Sequence, residues 1–182
     1  MIDRRRLLIA GSIAAALAVA STLGVAAVGG AFYSGWVSPS GDCTAPALPG
    51  AVVDVTLADM GASMMRDSTG GHMRIFASQS TVAAGDVSLR VANTGSIVHE
   101  LIVLPLPAGQ RIGHREVKSD GRVDETGSLG EAAKPCGAGA GDGMDPGGLS
   151  WTTLRLRPGT YEMFCNIPGH YADGMYRTLV VS

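Results

Sequence analysis

The chain has 182 residues, 46% of them hydrophobic, and a net charge of −2. That is enough for one ordinary domain with a real core, and the near-neutral charge gives no electrostatic case for nucleic acid as a partner. No GxxxxGK[ST] or GxGxxG phosphate loop occurs, and 26 glycines with only 5% aromatics favour a turn-rich β protein over a helical bundle.

The first segment, residues 1–37, is not part of the predicted fold. Arg4, Arg5 and Arg6 precede an uncharged stretch whose residues 7–31 are rich in Ala, Leu, Val and Ile. A bilayer-spanning helix needs about 20 such residues, so this one is long enough to be an uncleaved apolar anchor. Small residues such as Ala18, Ala20, Ala26 and Ala27 leave a cleaved signal open as the alternative. Either way the basic end stays in the cytoplasm and the rest of the chain lies outside, at the outer face of the membrane, in a periplasm or beyond. Arg4-Arg5-Arg6-Leu7-Leu8 also resembles a twin-arginine export signal. Ser40-Gly41-Asp42 before Cys43 is no lipobox, so no lipoprotein is expected.

Residues 38–50 hold Pro39, Gly41, Pro46, Pro49 and Gly50 and read as a linker. A folded domain is predicted over 51–182. Val53, Val55 and Leu57 alternate with Asp54 and Thr56, marking a half-buried strand. Met60, Met64, Met65 and Met73, with His72, read as packing or a partner surface, with a site for a soft metal ion such as Cu(I), which thioethers favour, as the alternative. Strands follow at 73–78 and 87–91, the latter between turns at Ala84-Gly85-Asp86 and Asn93-Thr94-Gly95. Residues 97–104 form a nearly continuous apolar run, predicted as a strand covered on both faces.

From 105 to 148 regular patterning fails. This stretch reads as a long loop insertion with one short helix around 128–133, and its glycine-rich part at 137–148 as mobile and without chemistry. Strands return at 150–156, 161–165 and 176–181. Several short strands, turns between them and no βαβ alternation predict an all-β, antiparallel Greek-key sandwich.

The chemistry concentrates near the C-terminus. Cys165, His170 and Met175 stand at even spacing in one loop between two predicted strands. A thiolate, an imidazole and a thioether together suit copper, since soft sulfur favours Cu(I) and imidazole tolerates both oxidation states. A fourth ligand must come from elsewhere, and His99, just after the 93–96 turn, is the natural candidate. His72 sits in a Gly-rich turn and His114 in the charged insertion. Pro168 stiffens the loop, and Gly169 and Gly174 let it fold its donors onto one point.

Phe-Cys-x2-Pro-Gly-His-x4-Gly-Met, as it stands from Phe164 to Met175, resembles the ligand loop of the cupredoxins, in the longer spacing of azurin, auracyanin, rusticyanin and sulfocyanin. Val82-Ala83-Ala84-Gly85-Asp86-Val87, continuing through Asn93-Thr94-Gly95 to His99, resembles the upstream half of the same family. The resemblance implies one type 1 copper held by His99, Cys165, His170 and an axial Met175. It further implies a carrier that shuttles single electrons between transient redox protein partners, and with the N-terminal segment read as above this carrier is expected outside the cytoplasmic membrane, as a monomer. The edge of His170 would be the electron port, ringed by Pro168, Gly169 and Tyr171. Many cupredoxins carry Asn directly after the first ligand His, where this chain has Glu100. An extracytoplasmic copper chaperone or storage protein is the alternative function. A multicopper enzyme is not expected, because four histidines with no His-x-His or His-Cys-His leave too few ligands. The two remaining cysteines, Cys43 and Cys136, are expected to pair in an oxidising compartment.

Overall fold

The computed structural model describes residues 43–59 and 73–182. The apolar N-terminal segment and the methionines 60, 64 and 65 with His72 lie outside the described residues.

Among the described residues there are ten strands: β1 (Ala51–Asp59), β2 (Met73–Ala77), β3 (Thr81–Val82), β4 (Gly85–Asn93), β5 (Leu101–Pro105), β6 (Gly130–Ala132), β7 (Gly137–Ala138), β8 (Leu149–Leu156), β9 (Gly159–Phe164) and β10 (Tyr176–Val181). They form two five-stranded sheets, ordered β2-β1-β4-β8-β7 and β3-β10-β9-β5-β6. The period-2 pattern read from the sequence sets the core. Val53, Val55 and Leu57 of β1 and Val87, Leu89 and Val91 of β4 point inward, where they meet Leu101, Val103, Met163 and Leu179 of the other sheet. Cys165 and Met175 belong to this same buried cluster.

The fold is all-β and made of two sheets, as expected, and the sheets are mixed rather than wholly antiparallel. β1 runs parallel to β4, β3 to β10 and β7 to β8. Parallel neighbours need a crossover rather than a hairpin. Between β1 and β4 the chain supplies one: β2 pairs back on β1, β3 joins the opposite sheet, and β4 returns beside β1 in the same direction. Side-chain alternation reports which face is buried, not which way the partner runs, so the sequence carried no signal of this.

The expected strand at 97–104 begins only at Leu101. Asn93 Nδ2 donates to the carbonyls of Ile97 and Met144, 2.8 Å each, and its Oδ1 accepts from the Gly95 amide at 2.9 Å. These bonds hold 94–98 as a turn, and Ile97 is 41% exposed rather than buried.

The insertion is ordered structure. Where a short helix was expected, β6 pairs with β5 in antiparallel register, Leu101 opposite Ala132 and Val103 opposite Gly130. Pairing with an open sheet edge outweighs weak local helix preference. The stretch 137–148, read as mobile and without chemistry, provides β7 and the fully buried Met144, whose amide and carbonyl both bond His99. Cys43 and Cys136 form a disulfide with a Cα–Cα distance of 5.6 Å. Cys43 and Ala45 pack with Ala92 and Leu149 in a small second core, and Pro49 accepts a hydrogen bond from Ser88.

Candidate metal centre

Two chain segments deliver the site. After β4, the Asn93-centred turn carries the chain to His99. An antiparallel bridge fixes that residue's backbone, His99 N to Met144 O at 3.1 Å and Met144 N to His99 O at 2.8 Å. The second segment runs from the end of β9 to the start of β10. The Cys165 amide donates to the Met175 carbonyl at 3.1 Å, closing the loop at its base. Within it His170 N donates to Ile167 O at 3.0 Å, and Met175 N to His170 O at 3.1 Å. Gly169 and Gly174 hold φ values of 88° and 90°, left-handed conformations that other residues adopt only under strain, which is why glycine stands there.

These elements bring the side chains of His99, Cys165 and His170 together in the interior. The two Nδ1 atoms are 3.2 Å apart, and Cys165 Sγ lies 3.3 Å from His170 Nδ1 and 4.0 Å from His99 Nδ1. Among the described residues this is the group of three such donors that could share an ion. First-row ions sit about 2.0–2.3 Å from imidazole nitrogen and thiolate sulfur, so a trigonal set places its donors roughly 3.5–3.8 Å apart. The observed triangle brackets that spacing, and its two-nitrogen, one-sulfur chemistry fits copper. Met175 is fully buried in the same cluster. His114 instead lines a surface depression with Gln110, Glu116 and Asp124.

Burial sets the protonation. It pushes the Cys165 thiol up to about 12, only partly opposed by amide hydrogen bonds from Glu100 and Ile167. It lowers His170 to about 4, with His99 adding to the effect. His99 is lowered by burial against the opposing pull of Asp59. Both imidazoles are therefore neutral near pH 7, as ligands must be, and an incoming cation has only the thiol proton to displace.

A second layer surrounds the donors. His99 Nε2 lies 3.2 Å from Asp59 Oδ1, at the end of β1. Burial tends to raise the Asp59 carboxyl, but hydrogen bonds from Ser96 and the contact with His99 bring it down to about 2. The Glu100 amide donates to Cys165 Sγ at 3.4 Å, and its carboxylate accepts from the Asn166 amide at 3.2 Å. Below the loop, the buried Glu162 accepts from Tyr171 Oη and from the Gly113 amide, 2.8 Å each, and pairs with Arg115.

A family model described as the Sulfocyanin (SoxE) domain matches residues 53–182. The chain belongs to that family. Sulfocyanins are blue copper cupredoxins, so the protein carries one type 1 copper and works in electron transfer. Solved structures similar to this chain include dithionite-reduced auracyanin from Roseiflexus castenholzii, 20% identical, spanning 73% of this chain and 99% of that one with a TM-score of 0.46. Rusticyanin from Thiobacillus ferrooxidans is 20% identical over 74% of this chain and 79% of that one, with a TM-score of 0.42. Auracyanin A from Chloroflexus aurantiacus, a blue copper protein, is 18% identical over 72% of this chain and 100% of that one, with a TM-score of 0.44. No curated protein sequence matches.

Tyr171 is no surface contact: it is 2% exposed, packed edge-on against Phe164 at 5.4 Å and bonded to Glu162. Pro168 is exposed and Gly169 half-buried. Asp59, Ser96, Met144 and Glu162 escaped the sequence reading. Asp59 looked like an ordinary polar strand end, and only the parallel β1–β4 register, Leu57 opposite Asn93, sets it beside Gly95 and Ser96.

Proposed function

We propose that His99 Nδ1, His170 Nδ1 and Cys165 Sγ hold the copper, with Met175 as the weak axial ligand, and that the protein is a non-enzymatic, single-electron carrier. The observation that carries this reading is the preformed triangle of three buried donors with two-nitrogen, one-sulfur chemistry. Copper supplies the one-electron couple; the chain supplies a frame that resists change as the charge alternates. Met144 clamps the His99 backbone, the Cys165–Met175 hydrogen bond closes the loop, and Glu100 ties one ligand segment to the other. Donors that move little between oxidation states need little reorganisation, which favours fast transfer over tight storage of one state.

Domain 51–182 then follows an export signal or anchor at 1–37, which places the carrier outside the cytoplasmic membrane. The support is the basic cluster before the long apolar run. His170, buried but for 6% of its surface and lying between exposed Pro168 and Ala172, offers the exit for electrons to a small, transient protein contact.

The test is the optical spectrum of the copper-loaded protein. A strong blue thiolate band that vanishes in Cys165→Ser is expected. A copper-loaded wild type without that band refutes the assignment.

A further inference from the structure

Gly95 is the point of closest approach in the second layer. A methyl group built there would lie 1.8 Å from Asp59 Oδ1 and 2.9 Å from His99 Nε2. The contact between carboxylate and imidazole therefore needs this position to lack a side chain. The carboxylate is aimed as well as admitted: the Ser96 amide donates to its Oδ1 and the Ser96 hydroxyl to its Oδ2. Thr94 pins the turn to β1, its amide donating to the Leu57 carbonyl at 2.8 Å. Three residues of one turn thus hold an acid of another strand against the outer nitrogen of a buried imidazole.

We propose that Asp59 is the positioning residue of His99, fixing its Nε2–H tautomer and setting a negative charge behind it that favours Cu(II) over Cu(I). The proposal rests on the copper reading above. A neutral imidazole carries one N–H, and a carboxylate can only accept. The proton therefore sits on Nε2, and Nδ1 keeps its lone pair toward Cys165 and His170. A carboxylate behind a ligating histidine also raises the basicity of the ring. More electron density at Nδ1, with a fixed anion one ring away, stabilises the higher charge state of a bound ion.

Two variants separate contact from bulk charge. Asp59→Asn keeps the size and an acceptor but removes the charge. Gly95→Ala keeps the charge but displaces the carboxylate from Nε2. Gly95 does not hold a positive φ, so alanine suits its backbone. In copper-loaded protein both are expected to keep the blue band. Both should lower the ratio of Cu(II) to Cu(I) affinity at least tenfold, which reads as a rise of about 59 mV for a one-electron couple. In metal-free protein, nitrogen-15 NMR is expected to show His99 wholly as the Nε2–H tautomer in the wild type and as a mixture in Gly95→Ala. An unchanged potential in both blue variants, or an unchanged tautomer in Gly95→Ala, overturns the proposal. A wild type that never turns blue overturns the copper reading instead, and the metal-free tautomer then still decides the role of Asp59.

Discussion

Glu100 touches Cys165 through its backbone and the residue after Cys165 through its side chain. Its amide donates to Sγ at 3.4 Å, and its carboxylate accepts from Asn166 N at 3.2 Å. A tie between the two ligand segments, the job Asn does in many cupredoxins, is thus made here by an acid. The acid pays for its place. Burial, with Glu131 and Glu125 nearby, pushes its carboxyl up to about 7, and Arg122 offsets this only in part.

A pH dependence follows for the copper-free protein. A carboxyl whose folded pKa is raised contributes fully below its unfolded value of 4.5 and loses that contribution as pH rises through about 7. A tenfold change in a protonation equilibrium is worth about 1.4 kcal/mol, so the swing is on the order of 3 kcal/mol. Glu100→Gln keeps the acceptor for Asn166 and cannot ionise. In urea melts at pH 5 and pH 8, the wild type should weaken relative to this variant across that interval. A constant gap between the two proteins refutes the assignment.

The insertion is anchored by charge to β9, the strand that leads into the ligand loop. Glu162 has no exposed surface and receives Arg115 Nε, Tyr171 Oη and the Gly113 amide. Arg115→Ala leaves a buried carboxylate without its cation, a loss that typically costs about 3–5 kcal/mol. Glu162→Gln, which removes the charge with the partner still present, should cost less. Thermal or denaturant midpoints of the two variants check the order; a loss in Glu162→Gln as large as that in Arg115→Ala refutes the account in which the uncompensated buried charge sets the cost.

What the sequence made legible were features set by short spacing. The alternating valines of β1 and β4 marked the core faces, β10 fell where predicted, and Cys165, His170 and Met175 stood out because one loop holds all three. What it hid depends on partners far along the chain. His99 meets Asp59 across 40 residues and Met144 across 45, and neither partner carries a local mark. The β6 segment looked helical because its strand character comes from β5 alone. Glycines at 137–148 looked like slack, yet some of them fit tight packing: a methyl at Gly143 would strike the Val98 side chain at 2.5 Å.

The Cys43–Cys136 disulfide closes a sequence separation of 93 residues. Loops of about 100 residues give up to roughly 4.7 kcal/mol in the chain-entropy picture, and native bonds typically contribute about 2–4. The double Cys→Ser variant should lose stability in that range while its blue band keeps its position, since neither sulfur belongs to the donor cluster. A shifted band would show that the bond also shapes the site, through Leu149 and the neighbouring Asn93 turn.

Copper loading should release protons in a pattern set by the same burial. At pH 7 both imidazoles are neutral and Cys165 is a thiol, its pKa pushed up to about 12. Binding Cu(II) as thiolate therefore frees one proton per ion, and affinity rises about tenfold per pH unit. Below about pH 4 His170 also carries a proton, so the release climbs toward two and the dependence steepens. Calorimetry in buffers of different ionisation enthalpy counts these protons directly. Cys165→Ser should release none at pH 7, because its hydroxyl stays protonated and both imidazoles start neutral. A wild type that also releases none would mean that the thiol is already ionised in the metal-free protein, and that burial does not govern the site.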